Sequence, residues 1–241
     1  MEMPERIDWA EGRLARLCDA VVVSSSHFGA RLQRHNPVVT HIPNGVSQEL
    51  LDNLAPLAVR KTDHPKDKPV IIYHGVTIAW RFDWDLFLAV ALLCPECEFR
   101  IYTNTKDIPA HLSLPVNVRI IAWVLTRELP SVLNQCSLGF MTYVPKEPTL
   151  SGFPLKMFEY LAAGLPVVST RLREVEPFED YVNLCDNDPQ GAAVLIRRAI
   201  NSDTRELRAA RRALAEKYSW RALGQQYRDY VLALLSSKAK R

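Results

Sequence analysis

A doubly wound parallel α/β sheet is the fold that residues 70 to 201 predict, and two observations predict it. Short, almost continuously apolar runs such as Val70-Ile-Ile-Tyr73 and Val167-Val168 alternate with longer stretches of helical periodicity. Strands without polar alternation are buried on both faces, and strands separated by helices pair in parallel through right-handed crossovers. Ligands of such sheets bind beyond the carboxyl ends of the strands. The loops after Tyr73, Ala122 and Tyr143 therefore share one rim with the segment that follows Pro148.

In chain order, Ile7, Leu14 and Leu17 with charges between them predict an amphipathic helix over residues 5–18. Ala20-Val-Val-Val23 predicts a buried strand, and Ser24-Ser-Ser26 predicts a cap for a helix over 27–35. Val38-Val-Thr-His-Ile42 predicts a short strand closed by the turn Pro43-Asn-Gly45. Residues 46–69 hold Asn53, Pro56, Pro65, Pro69 and the polar run Arg60 to Lys68, which predicts a linker. A strand over 70–73 then ends at His74-Gly75. Helix 83–93, strands 97–103 and 117–122, helix 126–135, strand 137–143, helix 154–163, strands 166–170 and 182–185, and helix 188–201 follow. A helical tail closes the chain; its last helix runs from Tyr218-Ser-Trp220 to about Leu235, with Leu223, Tyr227, Tyr230, Val231 and Leu234 on one face. The expected division is 1–45, a linker at 46–69, a domain over 70–218 and a closing helix over 219–241.

Residues 148–170 are the stretch around which the chain is organised. Ser151 and Gly152 break the backbone, and Pro154 has its φ preset for a first helical position. Leu155, Phe158, Leu161 and Ala162 form the expected inward face, and Gly164 and Pro166 stop the helix. Lys156 and Glu159 are three apart and lie on one face near the helix N-terminus, where free N–H groups and a partial positive charge attract anions. Amides and lysine suit phosphates, and a carboxylate suits a pair of hydroxyls. The bland alternative is a surface salt bridge between the two side chains. The loop Gly75 to Asp83 is the second candidate: Gly75 lets backbone approach a ligand, and Arg81 can clamp a diphosphate bidentately. The alternative there is an aromatic cluster of Trp80, Phe82 and Trp84 with Arg81 stacked on it. His74 reads either as a satisfied core histidine or as a ligand-facing one.

The run Phe153-Pro-Leu-Lys-Met-Phe-Glu-Tyr-Leu-Ala-Ala-Gly-Leu-Pro-Val-Val-Ser-Thr170 resembles the hallmark of the nucleotide-sugar half of GT-B glycosyltransferases, in the group-1/family-4-like set. The resemblance implies a Rossmann-like GT-B C-terminal domain. In it, Glu159 would hold the ribose hydroxyls and the helix N-terminus would face the diphosphate. Bacterial polysaccharide transferases with Pro-Leu-Lys before the glutamate imply that Lys156 lies near the phosphates. Many members carry a second glutamate eight residues before the first, where this chain has Ser151. A basic pair often follows the glycine equivalent to Gly75; here only Arg81 is present. The loop Trp123-Val124-Leu-Thr126 falls where the family contacts the base through its backbone.

The expected donor-binding set is thus Gly75, Arg81, Val124, Ser151, Phe153, Pro154, Leu155, Lys156 and Glu159, with no catalytic residue assigned. The expected donor is a nucleotide-diphosphate sugar such as a UDP- or GDP-sugar, handled without a metal or other cofactor and passed to a glycan or lipid-linked acceptor. Residues 1–45 resemble only the end of the acceptor-binding half, with the last helix crossing back to it. Val21, Val23, Ile42, Tyr227 and Tyr230 are then expected to leave an apolar surface that seeks a second polypeptide or another copy. A nucleotide-sugar 2-epimerase and a non-catalytic nucleotide-sugar-binding subunit are the competing classes.

Composition bounds these readings. The chain has 241 residues with 48% hydrophobic content, enough for a substantial core. A net charge of +3 gives no argument for nucleic acid. Five scattered cysteines point to a reducing, cytoplasmic setting, and Cys94-Pro-Glu-Cys97 lacks the second pair or histidines that a metal site needs. No apolar run reaches the roughly 20 residues of a bilayer span, and the N-terminus does not read as a signal peptide. Between Arg197 and Lys217 there are seven basic residues against three acidic ones, read either as a solvated face or as peripheral contact with an anionic membrane.

Overall fold

The computed structural model describes residues 3–54, 68–147 and 149–238. Among them, six parallel strands form one sheet: β3 (Val70–His74), β4 (Glu98–Thr103), β5 (Val118–Ala122), β6 (Leu138–Met141), β7 (Val167–Thr170) and β8 (Val182–Cys185). Their spatial order is β5-β4-β3-β6-β7-β8, so the strand order reverses between β3 and β6. Such a reversal opens a crevice at the carboxyl ends of the two strands. A second, two-stranded parallel sheet pairs β1 (Val21–Val23) with β2 (Val39–His41).

Both faces of the large sheet are covered. On one face α4 (Trp84–Leu93) and α7 (Pro189–Asn201) bury Phe87, Val90 and Ile196 against Ile71, Phe99 and Phe140. On the other, α5 (Leu129–Leu133), α6 (Leu155–Ala162) and α8 (Arg205–Lys217) bury Leu133, Met157, Phe158, Leu161 and Ala215 with Ile72 and Met141. Three of these helices start on side-chain caps: Asp83 accepts from Leu86 N–H, Asp188 from Gln190 and Gly191 N–H, and Thr204 from Leu207 N–H.

The segment expected to be a linker carries a helix, α3 (Gln48–Asn53), whose Leu50 and Leu51 enter the α6-side core together with Val46 and Leu54. The charged run of that segment, residues 55–67, lies outside the described residues. The closing helix α9 (Trp220–Lys238) begins where the chain returns to Val46: Val46 N–H donates to Tyr218 O and Trp220 N–H donates to Val46 O, each at 2.9 Å. Gly45 permits that approach, since a Cβ there would stand 2.7 Å from both Tyr218 O and Leu223 Cδ1. Further along, α9 faces the N-terminal segment, with Tyr230, Val231 and Leu234 opposite Leu17, Val22 and Val38.

The expected apolar surface changes in part. Val23 and Ile42 are buried and Val21 and Tyr230 half-buried, while Tyr227 is exposed as expected, joined by Val231 and Leu235 of α9 and by Trp9, Leu14 and Leu17 of α1 (Met3–Leu17). The basic tail is largely paired within the protein. Arg208 and Arg211 hold Asp203, Arg211 also donates to Gly164 O, Arg212 donates to Leu51 O, and Arg197 bonds Glu96 and Leu93 O. No helix among the described residues is long and apolar enough to cross a membrane.

The serines expected to cap the second helix, α2 (Ser26–Leu32), do something else. Ser25 makes no side-chain cap; instead Ser25 Oγ and Ser26 Oγ both donate at 2.8 Å to Glu174 Oε1, in the segment after β7. That carboxylate is 3% exposed and also lies 3.4 Å from His27 N–H and 3.9 Å from His41 Nε2. It ties the N-terminal segment to the large sheet.

Candidate functional site

The site is built where β3, β6 and α6 meet, at the reversal of strand order. Pro154 is the N-cap of α6, one place before the first helical position where the sequence put it, with extended backbone (φ −83°, ψ 102°). No side chain caps this helix, so its first amides and the positive end of its dipole stay available.

Lys156, in the first turn, reaches back across the sheet. Its Nζ donates to Tyr73 Oη at 2.8 Å and rests 4.0 Å from the Tyr73 ring centre and 5.5 Å from that of Tyr143. Gly75 lies directly beneath: its φ is 123°, so the backbone requires glycine, and a Cβ there would stand 2.9 Å from Lys156 Nζ and displace the amine. The Arg81 guanidinium stands 5.8 Å from the Tyr143 ring. The other half of the loop is the expected aromatic cluster: Phe82 and Trp84 are buried edge to face 4.8 Å apart, while Trp80 is exposed. Burial pushes the Lys156 amine down to about 7, and the Arg81 charge pushes the same way against Glu159.

Glu159 turns to His74, not to Lys156. Its Oε2 lies 3.1 Å from His74 Nε2. The His74 ring stands edge-on to Tyr160 at 5.2 Å, and His74 N–H donates to Tyr160 Oη at 3.1 Å. Burial works to raise the Glu159 pKa, but the His74 imidazole and the Lys156 charge outweigh it and hold the carboxyl below its ordinary value. The bland reading of the motif, a surface salt bridge between Lys156 and Glu159, is therefore not what forms. A cation, a second cation from the neighbouring loop, uncapped amides and an ionised carboxylate converge on one rim. Among the described residues, no group of three or more His, Cys, Asp or Glu could hold a metal ion. Cys94 and Cys97 are buried in the core between α4 and β4, and burial pushes the Cys97 thiol up to about 12.

The sequence model of the family described as Glycosyl transferases group 1 matches residues 68–202, more than half of the chain. The chain belongs to the group-1 glycosyltransferase family. It is 24% identical over 235 residues to TuaH of Bacillus subtilis (strain 168), provisionally named a teichuronic acid biosynthesis glycosyltransferase, and covers 59% of that protein with 92% of its own length. Among solved structures, sucrose-phosphate synthase from Thermosynechococcus elongatus superposes with a TM-score of 0.74 at 20% identity, over 95% of this chain and 62% of that one. HepE from Anabaena, solved with UDP and glucose, superposes with a TM-score of 0.71 at 16% identity, over 95% of this chain and 68% of that one. These likenesses show a shared fold, and the chain spans about six-tenths of the length of the first two.

Against this group-1 transferase fold, the expected site residues separate. Gly75, Arg81, Lys156 and Glu159 come together around Tyr73 and Tyr143. Val124 lies just past β5, two strands from β3, half-buried against the α6-side core, with Trp123 and Leu125 exposed on either side. Ser151 ends a 3-10 turn over Thr149–Ser151, and its side chain lies outside what the structure describes. Phe153 is buried and stacks on Phe158 at 5.8 Å, and Pro154 is buried too, so only their backbones face the rim. Leu155 is 46% exposed, which corrects its place on the inward face: it occupies the first turn, and the buried residues of α6 begin at Met157. Sequence reasoning missed Tyr73 and Tyr143. Both stand at or just past strand ends in apolar runs, and the only signal for them was their rim position.

Proposed function

We propose that this chain is the donor-binding part of a glycosyltransferase that moves a sugar from a nucleoside-diphosphate sugar to a polysaccharide, glycolipid or similar acceptor. The observation that carries the reading is the placement of Lys156 and Glu159 on the first turns of an uncapped helix, the amine over Gly75 and the carboxylate beside His74. In this reading Lys156, Arg81 and the α6 amides neutralise the diphosphate without a metal, and Glu159 accepts two ribose hydroxyls. Val124 and its neighbours meet the base through their backbone. The solved HepE complex with UDP and glucose supports the ligand class.

The acceptor site belongs, in the same reading, to a part of the fold that these residues only begin. The chain covers 59% of TuaH and 62% of sucrose-phosphate synthase, and the two-stranded β1-β2 sheet is small for an independent half. A further segment, a second polypeptide or another copy would complete it. A non-catalytic nucleotide-sugar-binding subunit is the second reading, favoured by the same partial coverage. Titration calorimetry against UDP, GDP, ADP and dTDP tests the donor site. Binding of one or more supports the reading, and absence of any binding by the folded chain refutes it. Assay of sugar transfer to lipid-linked acceptors, run on the chain together with the part that completes the acceptor half, separates the two readings: loss of transfer with Lys156→Met or Glu159→Ala places the reacting donor on this chain, and unchanged transfer makes it a non-catalytic subunit.

A further inference from the structure

We propose that Tyr143 is a third phosphate ligand of this site, its hydroxyl donating a hydrogen bond to the diphosphate of a bound nucleotide alongside Lys156 and Arg81; the proposal rests on the donor-site reading above. Three phenols, Tyr73, Tyr143 and Tyr160, belong to this site, and two have hydrogen-bond partners. Tyr73 Oη donates to Val76 O and accepts from Lys156 Nζ, both at 2.8 Å. Tyr160 Oη accepts from His74 N–H at 3.1 Å. Tyr143 is 1% exposed and its buried hydroxyl makes no aligned hydrogen bond; Arg81, whose guanidinium bears on it from 5.8 Å off the ring, can only donate, so the phenol's own proton has no acceptor.

That orphan is held in place firmly. Tyr143 N–H donates to Thr170 Oγ1 at 3.0 Å, and the residue forms a bridge with Phe82. The ring is fixed from its backbone with its oxygen spare. Five buried side-chain polar atoms lack an aligned hydrogen bond among the described residues. Two of them, Tyr143 Oη and Thr149 Oγ1, belong to the continuation of β6 and the turn leading to α6, and a third, His74 Nε2 at the end of β3, meets Glu159 Oε2 at 3.1 Å. Buried polar groups are almost always paired in folded proteins, so orphans concentrated at one place mark a spot where something else supplies the partner. Here the partner has to be an acceptor able to lie beside two cations, which describes a phosphate oxygen.

The chemistry of the phenol agrees. Burial pushes its pKa up to about 12 in spite of Arg81, so the proton stays on the oxygen at neutral pH and the group donates. Access depends on Lys156, whose ammonium rests beside the Tyr143 ring on a flexible four-carbon stem. A diphosphate that draws the ammonium off Tyr73 brings its oxygens toward the orphaned hydroxyl.

Thermal melts and titrations with UDP, GDP, ADP and dTDP, on the wild-type chain and on Tyr143→Phe, test this. The expected result has two parts. Without nucleotide the variant melts at the same temperature as wild type or higher, since it loses an unpaired hydroxyl. With the diphosphate that wild type binds, its affinity falls about tenfold or more. Equal affinity in the two proteins overturns the proposal and leaves the donor-site reading standing. A lower nucleotide-free melting temperature also overturns it, because the hydroxyl then serves the fold. If no nucleotide binds wild type, the donor-site reading fails and takes the proposal with it.

Discussion

The Lys156 ammonium donates to the Tyr73 hydroxyl at 2.8 Å across 83 residues of sequence, and it lies 4.0 Å above that ring. The contact places a cation over buried aromatic surface with no carboxylate bonded to it. A charge kept in this way costs the folded state stability and is available to an incoming anion.

Replacing the amine should therefore stabilise the fold while damaging the site. Lys156→Met keeps the length of the stem and removes the charge. The variant is expected to gain on the order of 1 kcal/mol, about 2–4 °C in Tm for a domain of this size, and to lose at least tenfold in nucleoside-diphosphate affinity. Paired thermal melts and titrations check both halves. A lower Tm would show that the ammonium supports the fold.

The same amine fixes a pH dependence of stability. It titrates at about 7 in the folded chain against an ordinary 10.5. Between those values the unfolded chain binds more protons, so stability should rise with pH across the window and level off on either side. Denaturant melts of wild type and Lys156→Met between pH 7 and 9.5 isolate the contribution, because the variant lacks that slope. Parallel slopes in the two proteins would contradict it.

Binding should carry the complementary signature. Phosphate oxygens beside Lys156 favour its charged form and raise its pKa, so nucleotide binding above pH 7 takes up a proton and weakens as pH increases. Calorimetry in two buffers of different ionisation enthalpy reads the proton directly. An enthalpy that does not depend on the buffer at pH 8 would place the phosphates away from Lys156.

Glu159→Ala should weaken nucleoside-diphosphate binding more than tenfold without unfolding the domain. Two hydrogen bonds from ribose hydroxyls to a carboxylate contribute about 1.5–3 kcal/mol each. A 2′-deoxynucleotide is expected to lose part of the same energy on wild type and little on the variant. Equal discrimination by both proteins would take Glu159 out of the ribose site.

How much of this was legible in the sequence depends on whether the cause is local. Val70 to Tyr73, Leu138 to Met141 and Val167 to Thr170 announced buried strands because a strand covered on both faces needs apolar side chains throughout. The α6 helix and the nearness of Lys156 and Glu159 to its start followed from periodicity alone. What each side chain touches did not follow, since Tyr73 and His74 come from a strand more than 80 residues earlier and spacing on one helix is silent about the opposite element. Leu155 was misplaced for a related reason. Helical spacing gives a stripe, but only the neighbouring strands decide how far along the helix that stripe is covered. The helix α3 was hidden because its Leu50 and Leu51 sit in a short segment followed by a charged, proline-bearing run.

Glu174 was equally invisible, since its partners Ser25 and Ser26 lie nearly 150 residues away and looked like an ordinary cap. Its carboxylate collects two hydroxyls and the His27 N–H at the start of α2. Glu174→Ala leaves those donors without an acceptor and should cost about 2–3 kcal/mol. The loss should be local, because the residue joins the N-terminal segment to the large sheet and contributes to neither apolar core. Hydrogen exchange is the measurement that separates the cases: amides of α2 and of the β1-β2 pair should exchange faster in the variant, while those of β3, β6 and β7 keep their protection. Glu174→Gln, which retains an acceptor oxygen of the same reach, should fall between the two. Uniform acceleration across both sheets would show that Glu174 supports the whole fold, and no acceleration anywhere would show that the N-terminal segment is held by its apolar contacts alone.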